Sequence, residues 1–93
     1  MRILIAEDEK NLNQMLKRRL QEEYYSVDSC FDGQEALDYL SGAEYDAVVL
    51  DIMMPVLDGL SVLKKIRAKD KTLPVLLLTA KDSIEDRVAG LDA

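Results

Sequence analysis

The chain has 93 residues, 48% of them apolar and 32% charged, with a formal net charge of −6 and no histidine. That is the composition of one small globular domain spanning residues 1–93, not of a disordered segment. Its acidity speaks against nucleic-acid contact through a general positive field and favours cations and basic partner surfaces. Cys30 is the single cysteine, so no internal disulfide can form, and with no histidine a zinc site of Cys and His is excluded. The N-terminal apolar run is too short for a signal peptide, and no stretch approaches the ~20 apolar residues of a membrane span. The expectation is a cytoplasmic protein with no membrane association.

Arg2–Ala6 is a short, β-branched apolar run that predicts a buried strand. Leu12, Met15, Leu16 and Leu20 then recur at helical spacing and predict one apolar helix face, leaving Lys17, Arg18, Glu22 and Glu23 for solvent. In Tyr25–Cys30, Tyr25, Val27 and Ser29 alternate with Ser26, Asp28 and Cys30, which reads as a strand with one wetter face, at a sheet edge. Asp32 and Glu35 have the spacing of a capping box before a helix carrying Ala36, Leu37 and Leu40, and Gly42 marks its stop.

Asp46–Leu50 is the third expected strand. Pro55 and Gly59 then break the chain, and Asp58 can cap a helix with Val62, Leu63 and Ile66 inward. Asp70-Lys71 reads as a turn, and Pro74 leads into the strand Val75–Leu78. Asp82 or Ser83 can cap a fourth helix with Ile84, Val88 and Leu91 on one face. The order βαβαβαβα implies an α/β domain: a parallel sheet with helices on both faces.

In a parallel sheet the C-terminal ends of all strands share one rim, where ligands bind. Glu7 and Asp8 follow the first strand, Asp51 ends the third and Thr79 ends the fourth. Single acids after strands are common, because loops are wet and Asp caps helices. Asp51 is not needed as a cap, since Asp58 serves. Carboxylates gathered at one rim repel and would have raised pKa values unless a cation joined them. Mg²⁺ is the economical partner, taking a few oxygens and often sharing its shell with a phosphate. On spacing alone, Asp51 can be either a ligand or a nucleophile toward a phosphoryl group. Thr79 can be a hydroxyl donor or merely a β-favouring residue.

The stretches "ILIAEDE" (3–9), "DAVVLDIMMPVLDG" (46–59) and "PVLLLTA" (74–80) occur in the order and at the separation seen in receiver domains of two-component response regulators, which the chain resembles over its whole length. "ILIAEDE" and the tail "RVAGLDA" are most similar to regulators with a winged-helix DNA-binding domain downstream. The resemblance implies a flavodoxin-like three-layer fold with strand order 2-1-3-4. It implies that Asp51 accepts a phosphoryl group from a phosphohistidine of a sensor histidine kinase and so switches a transcriptional output. Asp8 and Asp51 would ligate Mg²⁺, with Glu7 acting partly through water and the Met53 backbone carbonyl as a further ligand. Thr79 would contact the phosphoryl group and Ala80 would leave room for it. Pro55, Asp58 and Gly59 would shape the loop. Such a domain is a phosphoacceptor with at most self-catalysed phosphorylation and dephosphorylation, not an enzyme with a separate substrate. Docking of the kinase near Leu12 and Met15 is the family's pattern, although core packing is the simpler reading of those residues.

The family's domain has five β/α units in roughly 120 residues, whereas the pattern here covers four. The lysine and aromatic residue associated with the fifth strand have no counterpart in 1–93, and Lys81 is no substitute. The expectation is impaired phosphorylation, and an exposed Val75–Leu78 edge that promotes self-association through strand four or helix four. The alternative is an interaction or oligomerisation fragment with no phosphorylation activity. An aspartyl phosphohydrolase is disfavoured because Met53 stands where its second acid belongs. Glu7-Asp8-Glu9 in place of a glycine-rich turn disfavours a dinucleotide site.

Overall fold

Residues 1–78 are described by the computed structural model, as β1 (Arg2–Ala6), α1 (Lys10–Glu22), β2 (Ser26–Cys30), α2 (Gly33–Gly42), β3 (Ala47–Asp51), α3 (Gly59–Lys69) and β4 (Val75–Leu78). The expected fourth helix, with Ile84, Val88 and Leu91, and the rim residues Thr79 and Ala80 lie outside the described residues. Every strand pairing is parallel, and the order is β2-β1-β3-β4. This is the expected flavodoxin-like arrangement. The chain passes from β1 to β2 on one side, and β3 then takes the other side of β1. The topological switch point therefore falls between β1 and β3.

Alternation along the strands divides the apolar residues between two faces. Leu4, Ala6, Cys30, Val48, Leu50, Val75 and Leu77 form one core with Ala36 of α2 and Val62, Leu63 and Ile66 of α3. Ile3, Ile5 and Val27 are buried on the opposite face, where α1 packs on β1 and β2. On that face beyond α1, Val49 and Leu78 are half-buried and Leu76 is 40% exposed.

Three helices begin on acidic caps. Glu9 accepts from the N–H groups of Asn11 and Leu12, Asp32 from Glu35 and Asp58 from Ser61. Each satisfies backbone donors that have no partner within the first turn. The Asp32 cap has a reciprocal partner, since the Glu35 carboxylate accepts the Phe31 N–H at 2.8 Å. Glu9 was not expected as a cap.

The structure corrects three expectations. The third strand runs one residue later than Asp46–Leu50, so Asp51 is its last member; Asp46 instead accepts the Arg2 N–H through its carboxylate at 2.7 Å. The second strand begins at Ser26, because Tyr24 and Tyr25 are used to end α1, and Cys30 is buried beside Ala6, not on a wet face. In α1, Met15 is 54% exposed, Leu12, Leu16 and Leu20 are half-buried, and the buried residue is Asn13. At 3.6 residues per turn Met15 lies roughly 160° around the axis from Asn13, so the inward face is centred on Asn13, Leu16 and Leu20.

Candidate metal centre

The strand register sets the centre. Ala6 pairs with Leu50 across β1 and β3. The next residues along the two strands are Glu7 and Asp51, at the switch point between them. Glu7, Asp8 and Asp51 each offer a carboxylate oxygen, all within 4.8 Å of one another.

Their environments differ. Glu7 is 3% exposed. Its N–H donates to the Cys30 carbonyl at 3.1 Å, and its Oε2 accepts the Glu9 N–H at 2.9 Å. Burial pushes its carboxyl up to about 7, opposed by the Glu9 N–H and reinforced by Asp51 and Asp8. Asp51 is half-buried and its Oδ1 accepts the Met53 N–H at 3.1 Å. Its carboxyl is also raised, first by burial and further by Asp8, while the Met53 N–H and Glu7 pull it down. Asp8 is exposed. The three therefore form an acid cluster that is partly withdrawn from water, where charge is most costly.

The donor set fits a hard divalent cation. It supplies carboxylate oxygens only, with one side open to water through Asp8. Carboxylate oxygens within 4.8 Å of one another are close enough to hold one such ion directly or through a bridging water. An ion here would offset the burial and mutual repulsion that raise the two carboxyls.

The loop after β3 is built around Asp51. Met53, 68% exposed, turns its N–H back onto the Asp51 carboxylate. The Pro55 carbonyl accepts the Leu57 N–H at 2.7 Å across Val56, whose φ is 69°. Asp58 caps α3, accepting the Ser61 N–H at 2.8 Å and the Ser61 hydroxyl at 3.2 Å. Gly59 is buried, and its N–H donates to the Ile52 carbonyl at 2.9 Å. Pro55 is exposed. Of the sequence-expected residues, the structure brings Glu7, Asp8 and Asp51 together and places Met53, Pro55, Asp58 and Gly59 in the adjoining loop.

Two residues were missed by sequence reasoning. Gly33 opens α2 so close to the β3–α3 loop that a Cβ there would overlap the Leu57 carbonyl oxygen. Asn13 donates from Nδ2 to the Glu7 carbonyl at 2.9 Å and to the Cys30 carbonyl at 2.8 Å. The available signal for Asn13 was its spacing, three and seven residues before Leu16 and Leu20, as a polar residue on an apolar stripe. Gly33 carried no signal beyond its place after a capping Asp.

A groove of about 870 Å³, lined by Leu37, Leu40, Tyr45, Ile66 and Leu73 among others, opens near the N-terminal ends of β3 and β4. It shares no residue with the acid cluster and lies at the other end of the sheet. Among the described residues no helix is long and apolar enough to cross a membrane.

Comparison with known proteins bears on this site. Residues 3–93 match the family model described as the response regulator receiver domain. The response regulator MprA of Mycobacterium avium is 50% identical over 93 residues, covering 100% of this chain and 41% of its own length. The chain thus spans less than half of the curated relatives it matches. Among solved structures, the receiver domain of a Francisella response regulator superposes with a TM-score of 0.87 at 40% identity, over 98% of this chain and 75% of that one. Response regulator TrrA of Thermotoga maritima, in complex with Mg(2+)-BeF, gives 0.86 at 41% identity, over 99% and 80%. TrrA in complex with histidine kinase ThkA gives 0.82 at 44% identity, over 89% and 72%.

Proposed function

Since this chain belongs to the response regulator receiver domain family, we propose that it is a phosphoacceptor module of a two-component system, with Asp51 as the acceptor. The observation that carries the reading is the meeting of Glu7, Asp8 and Asp51 within 4.8 Å at the β1/β3 switch point. The partner is a sensor histidine kinase in the cytoplasm, by analogy with the ThkA–TrrA complex.

In the transfer, a carboxylate oxygen of Asp51 forms the bond to phosphorus as the P–N bond of the donor phosphohistidine breaks. The electron pair leaves with the imidazole nitrogen. Bound Mg²⁺ supplies neutralisation of charge on the transferred group. The chain's own residues do the positioning. The Met53 N–H orients Asp51, Glu7 and Asp8 would hold the ion together with Asp51, and the Met53 carbonyl is assigned as a further oxygen donor. Thr79 and Ala80 are assigned to the phosphoryl group, and Pro55, Asp58 and Gly59 to shaping the loop. Aspartyl phosphorylation adds charge and acceptor oxygens at the rim, which can bias a two-state element toward an output. In a longer response regulator that carries a winged-helix DNA-binding domain, the type the N-terminal stretch resembles, that output would be transcriptional. The domain acts on no separate substrate and contacts no nucleic acid through this segment.

The test is incubation with Mg²⁺ and acetyl phosphate, read by intact mass. A gain of one phosphoryl group, absent in Asp51→Asn, supports the assignment. No gain in the folded wild type, together with no binding of Mg²⁺ and beryllofluoride, supports the alternative of an interaction module.

One observation favours a second property of the chain. Leu76 is 40% exposed on β4, which lies at the edge of the sheet among the described residues, beside half-buried Val49 and Leu78. We assign this surface to pairing with a second copy through β4. Sedimentation at tens of micromolar is expected to show a dimer that Leu76→Lys disperses, and a wild-type monomer would refute it.

A further inference from the structure

Helix α1 buries a polar residue where its apolar stripe would accept leucine. Asn13 is fully buried, and its Oδ1 has no hydrogen-bond partner among the described residues. An unpaired amide oxygen in the interior is a cost that an apolar side chain of similar volume would avoid. Packing therefore does not account for the residue; its donors do.

Those donors act on the segment that carries the acids. Only Glu7, Asp8 and Glu9 separate β1 from α1. Asn13 meets both ends of this three-residue loop, the Glu7 end through its side chain and the Glu9 end through a helix-start backbone bond that any residue at this position makes. Its side chain donates to the Glu7 carbonyl at 2.9 Å, and its backbone N–H donates to the Glu9 carbonyl at 2.9 Å. A second side-chain bond, to the Cys30 carbonyl at 2.8 Å, ties the loop to the end of β2. The same carbonyl receives the Glu7 N–H at 3.1 Å. Within the loop, the Glu7 carboxylate is aligned by the Glu9 N–H. Asp8, exposed and with no backbone N–H donating to its carboxylate among the described residues, takes its position from its two anchored neighbours.

We propose that Asn13 is a positioning residue for the metal centre, clamping the β1–α1 loop so that the Glu7 and Asp8 carboxylates meet Asp51. This rests on the reading of Glu7, Asp8 and Asp51 as a Mg²⁺ site. Residues that orient metal ligands from behind affect affinity while leaving the ligands in place.

The test compares wild type, Asn13→Leu and the core variant Val62→Ala, which perturbs the opposite face of the sheet, in the full chain. Mg²⁺ affinity is measured by calorimetric titration, and exchange of the Glu9 amide by NMR without metal. Asn13→Leu is expected to bind Mg²⁺ about tenfold more weakly and to exchange the Glu9 amide faster. Val62→Ala is expected to lower the melting temperature while keeping wild-type Mg²⁺ affinity. If Asn13→Leu does not fold, Asn13→Ala, which fits any space that Asn fills, carries the same expectation. Unchanged affinity together with unchanged Glu9 exchange in a folded Asn13 variant overturns the proposal. If wild type itself binds no Mg²⁺, the metal reading fails, and Glu9 exchange still decides whether Asn13 clamps the loop.

Discussion

Gly59 rests against the peptide of Asp51: a Cβ at Gly59 would overlap the Asp51 carbonyl oxygen and come within 2.9 Å of both its carbonyl carbon and the Cα of Ile52. The start of α3 and the end of β3 are thus in backbone contact, and no side chain fits between them. Gly59→Ala is expected to force the two apart, lowering stability by about 1–3 kcal/mol and weakening Mg²⁺ binding by tilting Asp51. Thermal denaturation and Mg²⁺ titration check both. A melting temperature equal to wild type would contradict the close approach.

Helix α1 ends with a tyrosine where glycine is the usual choice. Tyr24 has φ of 66°, its N–H donates to the Gln21 carbonyl at 2.9 Å, and the Tyr25 N–H donates to that of Leu20 at 3.3 Å. This is a Schellman closure with a left-handed residue at its pivot. Tyr24 is 95% exposed, so its ring contributes no packing. Tyr24→Gly relieves the left-handed penalty at the expense of a more flexible unfolded chain, and a net gain of about 0.5–1 kcal/mol is expected by chemical denaturation.

Val56 presents the same problem more sharply, because it is β-branched and spans the bond from the Leu57 N–H to the Pro55 carbonyl with φ of 69°. Val56→Gly is expected to stabilise by about 1 kcal/mol without changing Mg²⁺ affinity, since the side chain is 78% exposed.

Stability without metal is expected to fall as pH rises. The folded chain holds the Glu7 proton up to about 7, against an ordinary value of 4.5, and Asp51 is shifted in the same direction. Between those two values the native state binds more protons than the unfolded chain, so unfolding free energy declines with pH across the window and levels off above it. Saturating Mg²⁺ binds the ionised native state and therefore offsets the decline within that window, holding the stability up at pH 7 and above. Melting curves from pH 5 to 8, with and without Mg²⁺, read both arms. A flat profile without metal would contradict the burial of Glu7.

At the edge of the sheet, the Tyr45 hydroxyl donates to Asp28 Oδ2 at 2.6 Å, and Arg2 donates to the same oxygen at 2.8 Å while lying 5.0 Å from the centre of the Tyr45 ring. Tyr45 and then Arg2 hold the Asp28 carboxyl below its ordinary range. Tyr45→Phe is expected to cost about 1 kcal/mol at neutral pH. That difference is present above the ordinary Asp value of 3.8 and shrinks as pH falls through the lowered native value, where protonated Asp28 loses its stronger acceptor. Denaturation at pH 7 and pH 2.5 compares the two.

Much of this organisation is legible in linear order. Arg2–Ala6 and Val75–Leu78 are short apolar runs, one ending at Glu7 and the other entered through Pro74, and a buried strand uses such a run well. Asp32 and Asp58 announce their helices because a carboxylate three residues before an N–H is the simplest way to satisfy that donor. Other features are not local. Met15 and Asn13 exchange the roles their polarity suggests because the helix rotates to present Asn13 to two carbonyls that sequence cannot place. Gly33 matters only because Leu57, twenty-four positions later, comes to lie against it.

By itself the sequence determined the alternation of elements, the Asp32 and Asp58 caps and the presence of carboxylates at the ends of two strands, since periodicity and capping act over a few neighbouring residues. Tertiary structure alone decided that β3 lies beside β1 in a register that sets Glu7 against Asp51. It also decided that Glu7 is buried while Asp8 remains in water. The reason is that strand order and desolvation belong to contacts between distant segments, and a carboxylate's pKa and its use to a metal depend on which of those contacts form.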